Sequence, residues 1–368
     1  RLGIYRPAEQ LFHPGSIPQE HFPINPPFTR VLFMPLLLLE ENSAYLVFVF
    51  LVFLSDVIST ILMSILLRDT ILKQLGIKKP ELNILMFFLA FLMLGYTLTG
   101  YSILWGIERG DTSSIAMLFA VSSLYLMVKK PKRVWLQVIL LSISAHLKIY
   151  FAIMFLLLIV IHKRKVILPL LAVNTVMFLS LGFHQAGSYF GSFLKENAVV
   201  PPDLYNHSGF SFARLLSDGS EIPHLLSNLP INLTALPVLI WLISIVIIIK
   251  NFENEMRTLL LFLVSIPMMS VALMKSYDYN LIILGSSFFT LLSILLCRVA
   301  VRPKSWNWLP FILVLFLMFF IERSPVNNAQ AVLIFSNKYP PILALSLVML
   351  LIIFQKHEKS SVLDQLDG

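Results

Sequence analysis

The 368-residue sequence predicts an all-α polytopic membrane protein, a bundle of about eleven transmembrane helices in one membrane-embedded domain. Three observations predict it. Hydrophobic residues make up 57% of the chain and charged residues 13%, more apolar side chain than a water-soluble core can bury. The apolar residues form continuous Leu-rich runs without the alternation of a membrane β-barrel. The basic residues lie in short clusters between those runs.

Taken in order, the runs fall near 43–67, 82–98, 112–128, 134–147, 149–161, 166–182, 234–250, 258–273, 281–299, 306–321 and 340–354. Several are shorter than the ~20 residues that ~30 Å of hydrocarbon requires, so their ends draw on flanking polar residues. The 134–161 pair reads either as two spans or as one helix broken near His146–Lys148. Ahead of the first run, residues 1–42 form an external loop. There "INPPFTRVLFMP" (24–35) stops on its prolines and continues into an apolar piece too short to span, an interfacial helix. Residues 183–233 form the long external loop and 355–368 a cytoplasmic tail.

Orientation follows from charge. Alternate connections carry Arg68, Lys73, Lys78 and Lys79, then Lys129, Lys130, Lys132 and Arg133, then Lys163, Arg164 and Lys165, and so on to Lys356 and Lys359. This side holds 18 of the 28 basic residues and is expected to be cytoplasmic; 12 of the 20 acidic residues lie on the other. The net charge of +8 is therefore topological, and nucleic-acid binding is excluded as its explanation. Cys297 is the one cysteine, so no intramolecular disulfide or cysteine-based zinc site is possible. The histidines show no HxxxH or HExxH spacing, and no metal or cofactor is expected.

The non-cytoplasmic side collects the unusual chemistry. "ERGD" places Glu108, Arg109 and Asp111 where a helix re-enters the membrane, either as a cap and a mouth-decorating ion pair or as a site. "SAHLKIY" (144–150) puts His146 and Lys148 between two runs with almost no turn. Lys148 is either a snorkelling anchor or, on the side that positive charge avoids, a fixed cation for a phosphate. In "DLYNHSGFSFARLL" (203–216), Asn206, His207 and Ser208 read as a turn or N-cap before an amphipathic segment; Asn206–Ser208 and "NLT" (232–234) also fit the glycosylation pattern. "KSYDYN" (275–280) places Tyr277 and Asp278 between two runs, as a loop or a pocket rim.

These segments together resemble glycosyltransferase family 87, membrane enzymes of the GT-C superfamily. The motifs that carry the resemblance are "GIYRPA" (3–8), "NPPF" (25–28), "ERGD" (108–111), "LKIY" (147–150), "NHSGF" (206–210) and "SYDYN" (276–280), in the family's order. The resemblance implies a GT-C-type bundle that moves a mannose-like hexose from a polyprenyl-phosphate donor to a lipid-linked or cell-envelope glycan acceptor. The active site would face away from the cytoplasm, at the plasma membrane of a bacterium. It also implies a catalytic aspartate about four residues before Tyr5, a position at or just before Arg1; an upstream segment is expected there.

Such a donor carries its own leaving group, so the site needs one carboxylate for the acceptor proton and cations for the departing phosphate. Lys148, Arg6 and Arg109 are the candidates for the phosphate. Tyr5, Glu108, Asp111, Asn206, His207, Tyr277 and Asp278 are the candidates for sugar and acceptor. The bilayer is the remaining partner. Alternatives are a non-catalytic relative that binds lipid-linked sugar, and a transporter or flippase of lipid-linked glycans. The flippase predicts repeat symmetry and charge buried mid-span, where Asp56 alone lies. A polymerase of the O-antigen type would need an arginine-rich external loop, and 183–233 holds only Arg214.

Overall fold

The computed structural model describes residues 26–75, 79–198, 207–209, 211–213, 229–252, 254–271, 278–301, 305–321 and 337–364. Every regular element among them is helical. In chain order these are α1 (Pro27–Phe33), α2 (Glu41–Leu75), α3 (Lys79–Thr99), α4 (Tyr101–Arg109), α5 (Ser113–Lys129), α6 (Val134–Leu147), α7 (Phe155–His162), α8 (Ile167–Phe178) and α9 (Gly182–Ala198). Then come α10 (Leu229–Asn251), α11 (Asn254–Val271), α12 (Leu284–Val301), α13 (Ser305–Ile321) and α14 (Tyr339–Asp364). Short 3₁₀ segments fill Ile149–Met154, Lys163–Val166 and Asp278–Ile283. Among the described residues, each of the eleven apolar runs is thus mainly helical.

By length and composition, Glu41–Thr70 can cross a membrane alone. Two bent pairs reach that length together: Phe87–Tyr96 with Tyr101–Glu108, at 51°, and Ile149–Phe178 with Gly182–Leu194, at 94°. The rest are shorter apolar helices, Ser113–Lys129 and Val134–Leu147 among them. Their outward faces are apolar: Phe87 is 75% exposed, Val176 71% and Phe319 67%. Patches of that kind suit lipid rather than water. Several hydroxyls on these helices are satisfied within their own helix. Ser55, Ser244, Ser265, Ser270, Ser293 and Ser346 each donate to the carbonyl four residues earlier.

The chain forms two compact units, residues 1–62 with 94–200, and residues 63–93 with 201–368. In the first, α6 is central and touches α1, α5, α7 and α8. Small residues let α5 and α6 approach closely: Ala116, Ala120, Ser123, Ser142, Ser144 and Ala145 are all buried. The Ser144 hydroxyl donates to Ala116 O at 2.7 Å and that of Ser123 to Gln137 O at 2.8 Å. Gln137 closes the turn between the two helices by donating to Lys130 O at 3.0 Å. In the second unit, α14 packs on α10, α11 and α13 around a core that includes Phe262, Phe288 and Phe289. The Trp241 indole donates to Ser265 Oγ at 3.0 Å, joining α10 to α11.

The two readings of 134–161 are decided in favour of two helices. Lys148 is extended, with φ −145° and ψ 110°, and ends α6. His162, at the far end of α7, lies 2.6 Å from Gln137 Oε1 near the start of α6. The chain therefore doubles back along α6. It turns again at Lys163, whose φ is +55°. Asn174 on α8 then reaches Ser142 at 3.0 Å.

Candidate functional site

The site of the first unit is built where α4 gives way to α5. Gly110 takes the left-handed conformation at the end of α4, φ +67°, which a Cβ would strain. Its N–H bonds Ile107 O at 3.1 Å and the Asp111 N–H bonds Gly106 O at 2.7 Å, so the helix closes tightly. The chain leaves with Asp111 ahead of α5. One carboxylate oxygen of Asp111 accepts the Ser113 N–H at 2.8 Å, capping the new helix. The other pairs with the Lys148 ammonium.

Three consecutive residues thus clasp the break after α6. Asp111 holds Lys148, the Thr112 hydroxyl donates to Leu147 O at 3.2 Å, and Ser113 Oγ lies 2.7 Å from the Tyr150 hydroxyl. The Asp111 side chain is 5% exposed and that of Lys148 20%, so the carboxylate is enclosed and the lysine is partly exposed. Asp111 therefore combines the capping role with an ion pair to a second element. Its capping of α5 is local, and the link to Lys148 spans 37 residues.

α1 lies across the same end of α6. The Thr29 hydroxyl donates to His146 O, and Phe28 meets the His146 ring edge-on at 6.0 Å. His146 is buried and bonds Asn174, which places it in the helix-packing framework behind Lys148. Arg30, next to Thr29, is 7% exposed. Its Nη1 donates to Gln185 Oε1 on α9 at 3.3 Å, while its Nε has no partner among the described residues. Burial lowers the guanidinium pKa to about 10 from 12.5, opposed by the neighbouring Tyr189, so it remains a cation at neutral pH. Asp56 on α2 is also buried; Ser114 hydrogen-bonds it, and its Oδ2 is unpartnered among the described residues.

Of the residues expected from sequence, Asp111 and Lys148 are brought together, and Glu108 is exposed on α4. Tyr5, Arg6, Asn206 and Tyr277 lie outside the described residues, as do the side chains of Arg109 and Asp278. Asp278 opens the 3₁₀ segment before α12. His207 belongs to a separate cluster in the second unit. Its Nδ1 accepts the Lys338 N–H at 3.1 Å just before α14, and Asn337 Oδ1 caps the Tyr339 N–H at 2.9 Å. The Ser208 hydroxyl accepts the Ser211 N–H at 3.1 Å, the N-cap that the sequence suggests. Phe212 stacks on Tyr339 at 5.3 Å, and Gly209 fits because a Cβ there would stand 2.8 Å from Leu233 O.

Sequence reasoning missed Arg30, Gln185 and Tyr189. The prolines around 24–35 make that segment look like a passive anchor, and nothing local marks Arg30 as buried. The available signal was a lone arginine inside an otherwise apolar stretch on the side where positive charge is disfavoured.

No curated protein and no solved structure matches the chain. A family model does: glycosyltransferase family 87, over residues 24–276. The matched stretch contains α1, the Asp111–Lys148 pair and His207. With its apolar helices and this match, the chain belongs to glycosyltransferase family 87, a family of membrane glycosyltransferases.

Proposed function

We propose that this protein transfers a hexose, mannose or a close relative, from a polyprenyl-phosphate donor to a lipid-linked or cell-envelope glycan. The reaction takes place on the non-cytoplasmic face of a membrane that the chain crosses about eleven times. The observation that carries the reading is Lys148, a partly exposed ammonium fixed by Asp111 at the mouth of α5.

In the reaction an acceptor hydroxyl oxygen attacks the anomeric carbon as the bond from that carbon to the phosphate oxygen breaks. The polyprenyl phosphate departs with the electron pair, and the acceptor proton goes to a carboxylate. Lys148 stabilises the charge growing on the phosphate, with Arg6 and Arg109 as further cations for that task. Asp111 holds Lys148 in place. Both of its oxygens are engaged, by Ser113 and Lys148, which makes it a positioning group and a poor proton acceptor. Glu108, Tyr5, Asn206, Tyr277 and Asp278 are assigned to sugar and acceptor; His207, expected there from sequence, is wholly buried and holds the Lys338 N–H instead. No cofactor is required.

The test is Lys148→Met, assayed with a polyprenyl-phosphate sugar donor in membranes. Transfer is expected to fall at least tenfold, equal to about 1.4 kcal/mol in the barrier, at unchanged protein level. Activity within about threefold of the wild type would return Lys148 to the role of a snorkelling anchor.

A further inference from the structure

The end of the first unit opposite the Asp111–Lys148 clasp gathers positive charge from two turns. The α5–α6 turn exposes Lys130, Lys132 and Arg133, and the 3₁₀ turn before α8 exposes Lys163, Arg164 and Lys165. Gln137, wholly buried near the start of α6, ties the two turns together. Its Nε2 donates to Lys130 O at 3.0 Å, and its Oε1 lies 2.6 Å from Nε2 of His162, the residue before Lys163. The pairing of α6 with α8 brings the turns to one level. Asn174 on α8 meets Ser142 on α6 at 3.0 Å, about two turns into each helix, so the two run parallel and begin side by side. Lys163 keeps φ +55°, a costly value for a residue with a side chain, so packing holds its turn in one shape.

This charge has no counterpart nearby in the chain. The sequence from Thr112 to Lys195 contains no acidic residue, and among the described residues none of these six cations forms an ion pair. Like charges gathered at one end repel, a cost that an external anion removes. Topology asks for positive charge on this side, but not for two turns locked together through one buried glutamine. Each basic run also passes directly into exposed apolar residues. Trp135 is 53% exposed and Leu168 70%, with Leu136 and Ile167 beside them. Cations therefore stand next to a hydrocarbon-facing belt, with a tryptophan at the boundary. That layering fits a molecule with a phosphate head and acyl chains. A free anion or an acidic protein would have no use for the belt.

We propose that the two turns form a binding site for an anionic phospholipid of the bilayer, with its phosphate on the cations of 130–133 and 163–165 and its acyl chains along Trp135 and Leu168. On the proposed topology this lipid belongs to the cytoplasmic leaflet, away from the transfer site. The inference rests on the membrane reading above but not on Lys148 or the transfer step.

The experiment uses the full chain purified in a neutral maltoside detergent, where membrane orientation no longer enters. Calorimetry measures the binding of short-chain phosphatidylglycerol, beside short-chain phosphatidylcholine and inorganic phosphate. Phosphatidylglycerol is expected to bind roughly tenfold more tightly than either, and to weaken as salt screens the charges. The triple variant Lys163→Gln, Arg164→Gln, Lys165→Gln should weaken it roughly tenfold. Gln137→Met keeps every charge and severs the link between the turns, and it should weaken binding by more than about threefold. Phosphatidylcholine binding within about threefold of phosphatidylglycerol overturns the proposal, as does a loss under about threefold in the triple variant. Wild-type affinity in Gln137→Met would show diffuse charge rather than a built site, and overturns it too. Where Gln137→Met fails to fold, His162→Leu cuts the same link from α7 and decides. Displacement of the lipid by inorganic phosphate at equal concentration would assign the turns to a soluble anion, which also overturns it. Lys148→Met should keep the lipid affinity within about threefold. Loss of binding in that variant would move the lipid to the clasp, so that this site falls and the transferase reading stands.

Discussion

Lys148 and Asp111 are 37 positions apart, and their ion pair ties the break after α6 to the first turn of α5. The pair is asymmetric in exposure, so the carboxylate acts as the fixed base of the contact and the ammonium as its accessible end. Thr112 and Ser113 reinforce it by holding Leu147 and Tyr150.

Asp111→Asn therefore keeps the shape of the clasp and loses its charge. Transfer should fall at least tenfold, because Lys148 is no longer held. Thermal stability in detergent should drop by roughly 1–3 kcal/mol, the usual cost of leaving a buried polar partner unmatched. The double variant with Lys148→Met should be no less active than Lys148→Met alone, since the two act as a unit. Activity losses that simply multiply would show that Asp111 acts independently.

Asp278, in the second unit, tests the proposed assignment to sugar or acceptor by itself. Asp278→Asn keeps volume and hydrogen bonding while removing charge. A loss of roughly tenfold in turnover, about 1.4 kcal/mol, with an unchanged melting temperature is expected. Unfolding instead would mark a structural cap at the start of the 3₁₀ segment.

Topology can be read by cysteine labelling after Cys297→Ser. Glu41 and Pro131 are both exposed in the structure, so reagent access at either depends on the side of the membrane alone. Glu41→Cys should react with an impermeant maleimide in intact cells, and Pro131→Cys only after permeabilisation. Reaction of both from outside would overturn the proposed orientation.

Gly209 is a packing prediction for the second unit. A Cβ would meet Leu233 O at 2.8 Å and the Tyr339 ring at 3.0 Å, so Gly209→Ala should lower the melting point, by roughly 1–3 kcal/mol of stability. Gly95→Ala is the control, because its Cβ enters open space within α3 and gains helix propensity. Equal melting temperatures for the two variants would show that the loop around His207 yields freely.

The helices were legible because lipid demands long apolar runs, and such runs leave a mark on every residue they contain. The eleven runs and the observed helices agree even at 134–147, which α6 reproduces end to end. The N-cap at Ser208 was equally visible, being a contact three residues long. The pairing of Asp111 with Lys148 was not, although both were singled out, because nothing in either motif encodes the packing of α5 against α6. Arg30 was invisible for a further reason. Its significance lies in burial, and burial there is decided by α9, which arrives about 155 residues later.

The doubling back of the chain at Lys148 bears on how the protein is made. At ~1.5 Å per residue a 14-residue α6 is only about 21 Å long, short of the ~30 Å hydrocarbon layer on the proposed topology. The return leg, 3₁₀ over Ile149–Met154 and α over Phe155–His162, reaches only about 24 Å. Neither half has a complete hydrophobic span to offer the insertion machinery, and Lys148 sits at the tip, where the leading end would carry a charge across. Gln137 and His162 meet at the opposite end, 25 residues apart, and close the pair on itself. On the proposed topology the two halves would therefore enter the bilayer together, as one hairpin.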